Sequence, residues 1–447
     1  MIKVITYGTY DLLHHGHIRL LERAKALGDY LIVGVTADGF DRARGKINVQ
    51  QTLMERIESV KATGIADEII VEEYEGQKID DIKRYAINIF AIGSDWVGHF
   101  DYLSEYCKVV YLDRTEGISS SDLRSEGRCL RLGLVGESNI VNKFAQESSF
   151  VNGLVISGVC TQSDILLSEK VKSLPILTAD LNVLLSVSDA IYIVSPPQYH
   201  YLQIKTALQK GKHVLCESPI VLDVNQWQEL QDLAKSNNCI LMDSIKTAYS
   251  TAYYRMLLLA KSGIIGKIIS VDSVCTSMAD FQNRHIENPE IVWNSICAWG
   301  PTALLPIFQL LGVDYQKKDI ISHMFNGEST YDLFTKVAFV FKEAMASLKV
   351  GQGVKSEGEL IISGTKGYIY VPAPWWKTDY FEIRFENPAD NKRYFYQLDG
   401  EGIRYEMLIF VKSIIEKKNL SYVDQGISKA ITSLISDYYN KKDLINI

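Results

Sequence analysis

The chain has 447 residues, 47% hydrophobic and 23% charged, with a formal net charge of −7. At about 100–200 residues per domain that length makes two or three domains, each able to bury a core. The acidic balance and the lack of a long basic run argue against nucleic acid or an anionic membrane as main partner.

The opening run, 2–7 (IKVITY), reads as a short buried strand with neither the order of a signal peptide nor the length of a membrane span. Residues 16–27 have helical spacing, and 30–36 (YLIVGVT) read as a second buried strand. A helix over 51–63, a strand near 68–72, a helix near 78–86 and strands near 88–93 and 107–112 follow. Strands alternating with helices predict a parallel sheet with crossover helices. Residues 122–130 are polar and read as a seam.

A second alternating series starts at Leu132, with strands near 132–136, 153–159, 190–195, 213–216 and 239–242. After about residue 245 longer strand-like stretches take over, at 267–276, 335–353, 358–363, 367–371 and 380–385, closed by helices near 403–417 and 426–439. The expected fold class is α/β: a Rossmann-like domain over 1–128, a Rossmann dinucleotide-binding domain over 129–245, and an α+β open-sheet domain over 246–447. Seven scattered cysteines, never in a CxxC pair, suit neither a disulfide framework nor a zinc site and point to a reducing cytoplasm.

The first candidate site lies where IKVITY runs into GTYDLLHHGHIRLL. Gly8, Thr9, Tyr10 and Asp11 follow the strand end, where open α/β sheets bind ligands. His14 and His17 flank Gly16 at a helix start, whose exposed N–H groups and partial positive charge favour phosphate. Two imidazoles there can stabilise charge that builds on an attacked phosphate. An isolated HxGH is as often a chance match or a capping turn.

The context lifts it above that. The stretch from Val4 to Ser121 resembles the glycerol-3-phosphate cytidylyltransferase family, on YGTYDLLHHGHIRLLERAKALGDYLIVGV, GSDWVGHFDYL and VVYLDRTEGISSS. The resemblance implies transfer of CMP from CTP, with Mg²⁺ bridging the phosphates and no metal held directly by the protein. The acceptor would be a polyol phosphate, glycerol-3-phosphate first, with ribitol or another sugar phosphate as the alternative. It implies a dimer, and a product of the CDP-glycerol type feeding a cell-surface polymer. His14, His17, Lys46 and Arg114 would carry the chemistry. Arg56, Asp95, Trp96, Thr115, Ser119, Ser120 and Ser121 would join the loop residues in binding the nucleotide. The less favoured alternative makes Lys46 and Arg56 solvated surface charges, and Trp96 could be plain core.

The rest of the chain resembles the glucose-fructose oxidoreductase and inositol dehydrogenase family, on LRLGLVGESNIVNKF, AIYIVSPPQYHYLQIKTALQKGKHVLCESPI, SGIIGKIISV, GTKGYIYVPAPWW and GEGIRYEM. That implies an NAD(P) site near Gly136, Ser138, Asn139, Ile140 and Ser195, with His200, Glu217 and Lys246 facing a substrate. The landmarks are eroded. The second and third glycine places hold Ser138 and Val141, and the ribose-binding acid falls at Cys160. The family's catalytic lysine falls at Ser218, and its later acid and histidine at Pro306 and Leu310. Three readings follow: a transferase with a redox-silent rear half, a two-step enzyme whose rear half makes the polyol phosphate, or a nucleotide-sensing scaffold with idle sites.

Overall fold

A computed structural model describes residues 1–37, 49, 51–74, 76–113, 129–151, 153–278, 293–325, 331–396, 398 and 400–447. The chain divides into two compact units, Met1–Cys129 with Phe150–Gly153, and Leu130–Ser149 with Leu154–Ile447.

The front unit is built on strands β1 (Lys3–Gly8), β2 (Tyr30–Thr36), β3 (Glu68–Glu72), β4 (Ile89–Gly93) and β5 (Lys108–Leu112). All pair in parallel in the order β3-β2-β1-β4-β5. Helices α1 (His15–Lys25), α2 (Leu53–Ala62) and α3 (Gln77–Tyr85) connect them. Both faces are covered, so the strands read as continuous apolar runs. Val4, Leu31, Val33 and Val35 pack on one side with Leu21, Ala24 and Val60. Ile5, Tyr7, Ile32 and Phe90 pack on the other with Ile82, Ile87 and Leu103. Gly34 lies opposite Tyr7 in the register, and a Cβ there would meet the tyrosine ring at 2.2 Å. The strand order reverses between β1 and β4, which opens a crevice at their carboxyl ends.

The rear unit begins with a second parallel sheet: β6 (Leu130–Val135), β7 (Leu154–Cys160), β8 (Leu177–Thr178), β9 (Ala190–Ile193), β10 (His213–Glu217) and β11 (Leu241–Ser244), ordered β11-β10-β9-β6-β7-β8. Among its helices are α4 (Asn139–Glu147), α5 (Glu169–Lys172), α6 (Leu181–Val187), α7 (Pro197–Gln209) and α8 (Val224–Ser236). A nine-stranded mixed sheet follows, running from β12 (Ile268–Thr276) to β20 (Leu444–Asn446). It is flanked by α9 (Thr251–Lys261), α10 (Ser295–Leu311), α11 (Ile403–Glu416) and α12 (Gln425–Tyr439).

One long strand expected over 335–353 is two, β14 (Asp332–Val340) and β15 (Met345–Gly351). The charged pair Lys342-Glu343 sits in a tight reversal closed by Phe341 N–H donating to Ala344 O at 2.9 Å. Trp375 and Trp376 are buried packing residues, the first donating its indole N–H to Val274 O at 3.1 Å.

Candidate functional site

In the front unit, the loop after β1 and the turn after β4 meet the same edge of the sheet at its switch point. The sequence placed Gly8 to His17 and Asp95-Trp96 there from separate motifs. Gly8 has to be small: a Cβ would lie 2.9 Å from the Tyr10 ring, which folds back and is 1% exposed. Tyr10 and Leu12 both hold left-handed backbone, at φ 53° and 48°. Such conformations cost about 1–3 kcal/mol each unless their surroundings fix them. Here Gln51 supplies a two-way clamp. Its N–H donates to Asp11 Oδ1 at 3.0 Å, and its side-chain oxygen accepts Leu12 N–H at 2.7 Å.

Arg56 completes the clamp. It is 0% exposed, which removes the surface-charge reading. Its guanidinium donates to Thr9 O and Thr36 O, both at 2.8 Å, and to Gln51 O at 3.2 Å. It ties the loop after β1 to the end of β2 and to the entry of α2. That entry is fixed by a capping box between Thr52 and Glu55.

His14 is the N-cap of α1, and its Nδ1 accepts Gly16 N–H at 3.1 Å. The ring of His17, one turn on, stacks on it with centroids 4.0 Å apart and planes 25° apart. Tyr10 meets His17 edge-on at 5.5 Å. The two imidazoles therefore form one slab at the positive end of a helix. Across the switch point Asp95 is exposed and Trp96 half-buried, its ring 5.6 Å from His99 and 5.8 Å from Phe100. Lys46, Arg114, Thr115, Ser119, Ser120 and Ser121 lie outside the described residues.

Sequence reasoning missed Gln51 and a buried polar group behind the loop. There the Tyr7 hydroxyl donates to Asp81 Oδ2 at 2.8 Å, Thr36 donates to Glu72 Oε2 at 3.0 Å, and Lys78 pairs with Glu72. Burial, then the bond to Asp81, holds the Tyr7 phenol far above its usual range. Nothing in the local sequence marks Glu72, Lys78 and Asp81 as buried. Only the sheet shows that they point inward.

In the rear unit the first glycine of the fingerprint keeps its role. Gly136 has φ 142°, and a Cβ would lie 2.8 Å from Val194 Cγ1 and 3.1 Å from Ser195 N. Ser138 caps α4, its hydroxyl accepting Ile140 N–H at 3.2 Å, and Asn139 opens the helix. Cys160 ends β7 buried, and burial followed by nearby Asp180 pushes its thiol up to about 11. The position itself carries no carboxylate; the nearby acids are Asp180, beyond the next strand, and Glu137, whose Oε1 accepts Gln162 N–H at 3.1 Å. The turn thus fits a dinucleotide, whereas the ribose acid does not.

The expected polar residues have other partners. His200 is fully buried between Ser195 O (2.7 Å from Nε2) and Pro219 O (3.0 Å from Nδ1), and burial lowers its pKa to about 4. It staples two loops together. Ser195 donates its hydroxyl proton to Gln203 at 2.5 Å. Glu217 accepts the Tyr192 hydroxyl at 2.6 Å. Ser244 donates to Glu406 at 3.0 Å and Ser428 to Asp243 at 2.7 Å, which gathers three acids at the ends of β10 and β11. Burial first raises all three, Asp243 to about 7. Lys246 is ion-paired with Glu401. Pro306 is buried within α10, and Leu310 follows one turn on, so that face has no proton to give.

The comparisons with known proteins follow the same division. Residues 5–126 match the cytidylyltransferase-like family model, and residues 130–244 match the oxidoreductase family with an NAD-binding Rossmann fold. The front unit is thus a nucleotidyltransferase, followed by an oxidoreductase-like unit. The glycerol-3-phosphate cytidylyltransferase of Bacillus subtilis (strain 168) is 48% identical over 126 residues, 28% of this chain and 97% of that one. The chain belongs, through its front unit, to the glycerol-3-phosphate cytidylyltransferase family. In the rear unit, the scyllo-inositol 2-dehydrogenase (NADP(+)) IolU of B. subtilis is 29% identical over 161 residues, 33% of this chain and 49% of that one. The crystal structure of KijD10, a 3-ketoreductase from Actinomadura kijaniata, superposes with a TM-score of 0.63 at 16% identity, over 71% of this chain and 99% of that one. At that identity the likeness is one of fold.

Proposed function

We propose that the front unit transfers CMP from CTP to a polyol phosphate, glycerol-3-phosphate foremost, releasing pyrophosphate and giving CDP-glycerol for a cell-surface polymer. The observation that carries this reading is the stacked His14–His17 pair at the N-terminus of α1, at the switch point of a sheet whose relatives bear that name. An acceptor phosphate oxygen attacks the α-phosphorus in line, and the bond to the β-phosphate oxygen breaks. The phosphate dianion is already a nucleophile, so positioning and charge neutralisation supply most of the rate. His14 and His17 face the charge that builds on the α-phosphate. The loop from Gly8 to Asp11 and Gly16 present backbone to the nucleotide, while Asp95 and Trp96 border its base and ribose. Arg56 positions the loop. Lys46, Arg114, Thr115 and Ser119 to Ser121 close over the phosphates. Mg²⁺, carried by the triphosphate, would neutralise charge there. The enzyme works in the cytoplasm as a dimer.

The rear unit keeps the fold of an oxidoreductase without its acid–base set, and we assign it no hydride transfer. The Gly136 turn favours a second reading, in which NAD(P) still binds and the unit makes the polyol phosphate. Titration with NADH and NADPH separates them: tight binding removes the pure scaffold reading, and no binding of either at millimolar concentration removes the reductase.

The front reading is tested by pyrophosphate release with Mg²⁺ and CTP across glycerol-3-phosphate, glycerol-2-phosphate, ribitol-5-phosphate and phosphoethanolamine, with ATP as the nucleotide control. Release with CTP and one polyol phosphate is expected. Silence across the panel overturns it.

A further inference from the structure

Three lysines in the rear unit converge on one carboxylate. Lys143 lies on α4, Lys246 follows β11, and Lys377 ends the Trp375–Lys377 turn. Lys143 Nζ is 2.9 Å and Lys377 Nζ 3.0 Å from Glu401 Oε1, and Lys246 bonds Oε2. Beside them Arg404 pairs with Glu147 at 2.8 Å. Among the described residues, three ammonium groups thus share the one carboxylate of Glu401. The other acids that feel Lys246 are Glu217 and Glu406, and burial pushes both toward the neutral form.

The carboxylate is brought there at a cost. Glu401 has φ 54°, between Gly400 at 55° and Gly402 at 89°. A Cβ on Gly402 would lie 2.2 Å from Lys246 O. Three successive left-handed residues make a tight tip that only glycines allow, with one side chain at its apex. Burial raises the Glu401 pKa, but its lysine bonds outweigh that and bring it down to about 2. A single carboxylate cannot neutralise three ammonium groups, whereas a phosphate monoester brings two charges and three acceptor oxygens.

We infer that the cluster of Lys143, Lys246 and Lys377 is a binding site for a phosphate monoester, and that Glu401 is the internal anion which that ligand displaces. The site lies outside the front unit and stands whether or not the transferase reading does. The monoester could be a free polyol phosphate or the 2′-phosphate of a dinucleotide.

Calorimetric titration of the full chain with inorganic phosphate at constant ionic strength, with chloride as control, tests it. Glu401→Gln removes the competing charge and should tighten phosphate by about tenfold, while Lys143→Ala should weaken it by a similar factor. Lys143 is 45% exposed in its side chain, so its loss leaves the fold intact. Glycerol-3-phosphate, and NADP⁺ against NAD⁺, then name the source: either preference supports the site. Phosphate binding that is absent, or that neither variant alters, overturns it, even if the front unit binds phosphate itself.

Discussion

His14 gives one ring nitrogen to the helix it caps. Because Nδ1 accepts from Gly16 N–H, the proton of the neutral ring sits on Nε2, which makes that nitrogen a donor. Capping and chemistry are therefore separable. His14→Asn keeps a good N-cap. It should leave the melting temperature within a few degrees and lower kcat by about 10²-fold, the usual loss for one transition-state donor. His17→Ala should cost a similar factor. A near-wild-type rate in either variant would remove that residue from the transition state. Arg56 is the opposite case: its three carbonyl partners and full burial make it a structural cation. Arg56→Met orphans buried carbonyls, so it should destabilise the front unit by about 2–3 kcal/mol, read from urea midpoints, and lower kcat with it. The sequence placed the histidines through their spacing in a motif. It left Arg56 ambiguous, because burial depends on a loop some forty residues away.

Strand and helix bounds were legible wherever local pattern and final packing agree. The expected strand over 30–36 is β2 to the residue, since both of its faces are covered and its apolar run is unbroken. The 335–353 stretch failed because hydrophobic runs do not mark a reversal of only two charged residues. The acids of β10 and β11 were illegible for another reason. Glu217 and Asp243 are far apart in sequence, and Glu406 comes from α11. Their proximity has a thermodynamic signature. A carboxyl whose pKa rises on folding binds its proton more tightly in the native state. Its contribution is full below the unfolded value near 3.8 and is lost as pH climbs through about 7. Asp243 thus makes the rear unit less stable at pH 8 than at pH 5 by on the order of 3 kcal/mol. Asp243→Asn preserves the Ser428 bond and removes the charge. It should flatten that slope and raise the melting temperature at pH 8. An unchanged slope in calorimetry between pH 5 and 8 would assign the proton elsewhere.

At the level of the whole molecule the sequence holds two alternating series end to end, each starting with its own glycine turn. What each unit contributes was less readable, since fold and activity diverge in the rear half. The B. subtilis cytidylyltransferase is matched over 97% of its length by 126 residues of this chain, so the front unit spans nearly the whole of that relative. The clamp of Gln51, Asp11 and Arg56 and the histidine slab lie wholly within Met1–Cys129. A chain ending at Cys129 should therefore keep kcat for CMP transfer within about threefold of the full chain, half a kcal/mol or so of barrier. A loss above tenfold, in a fragment whose circular dichroism shows it folded, would overturn the independence of the front unit's transfer activity.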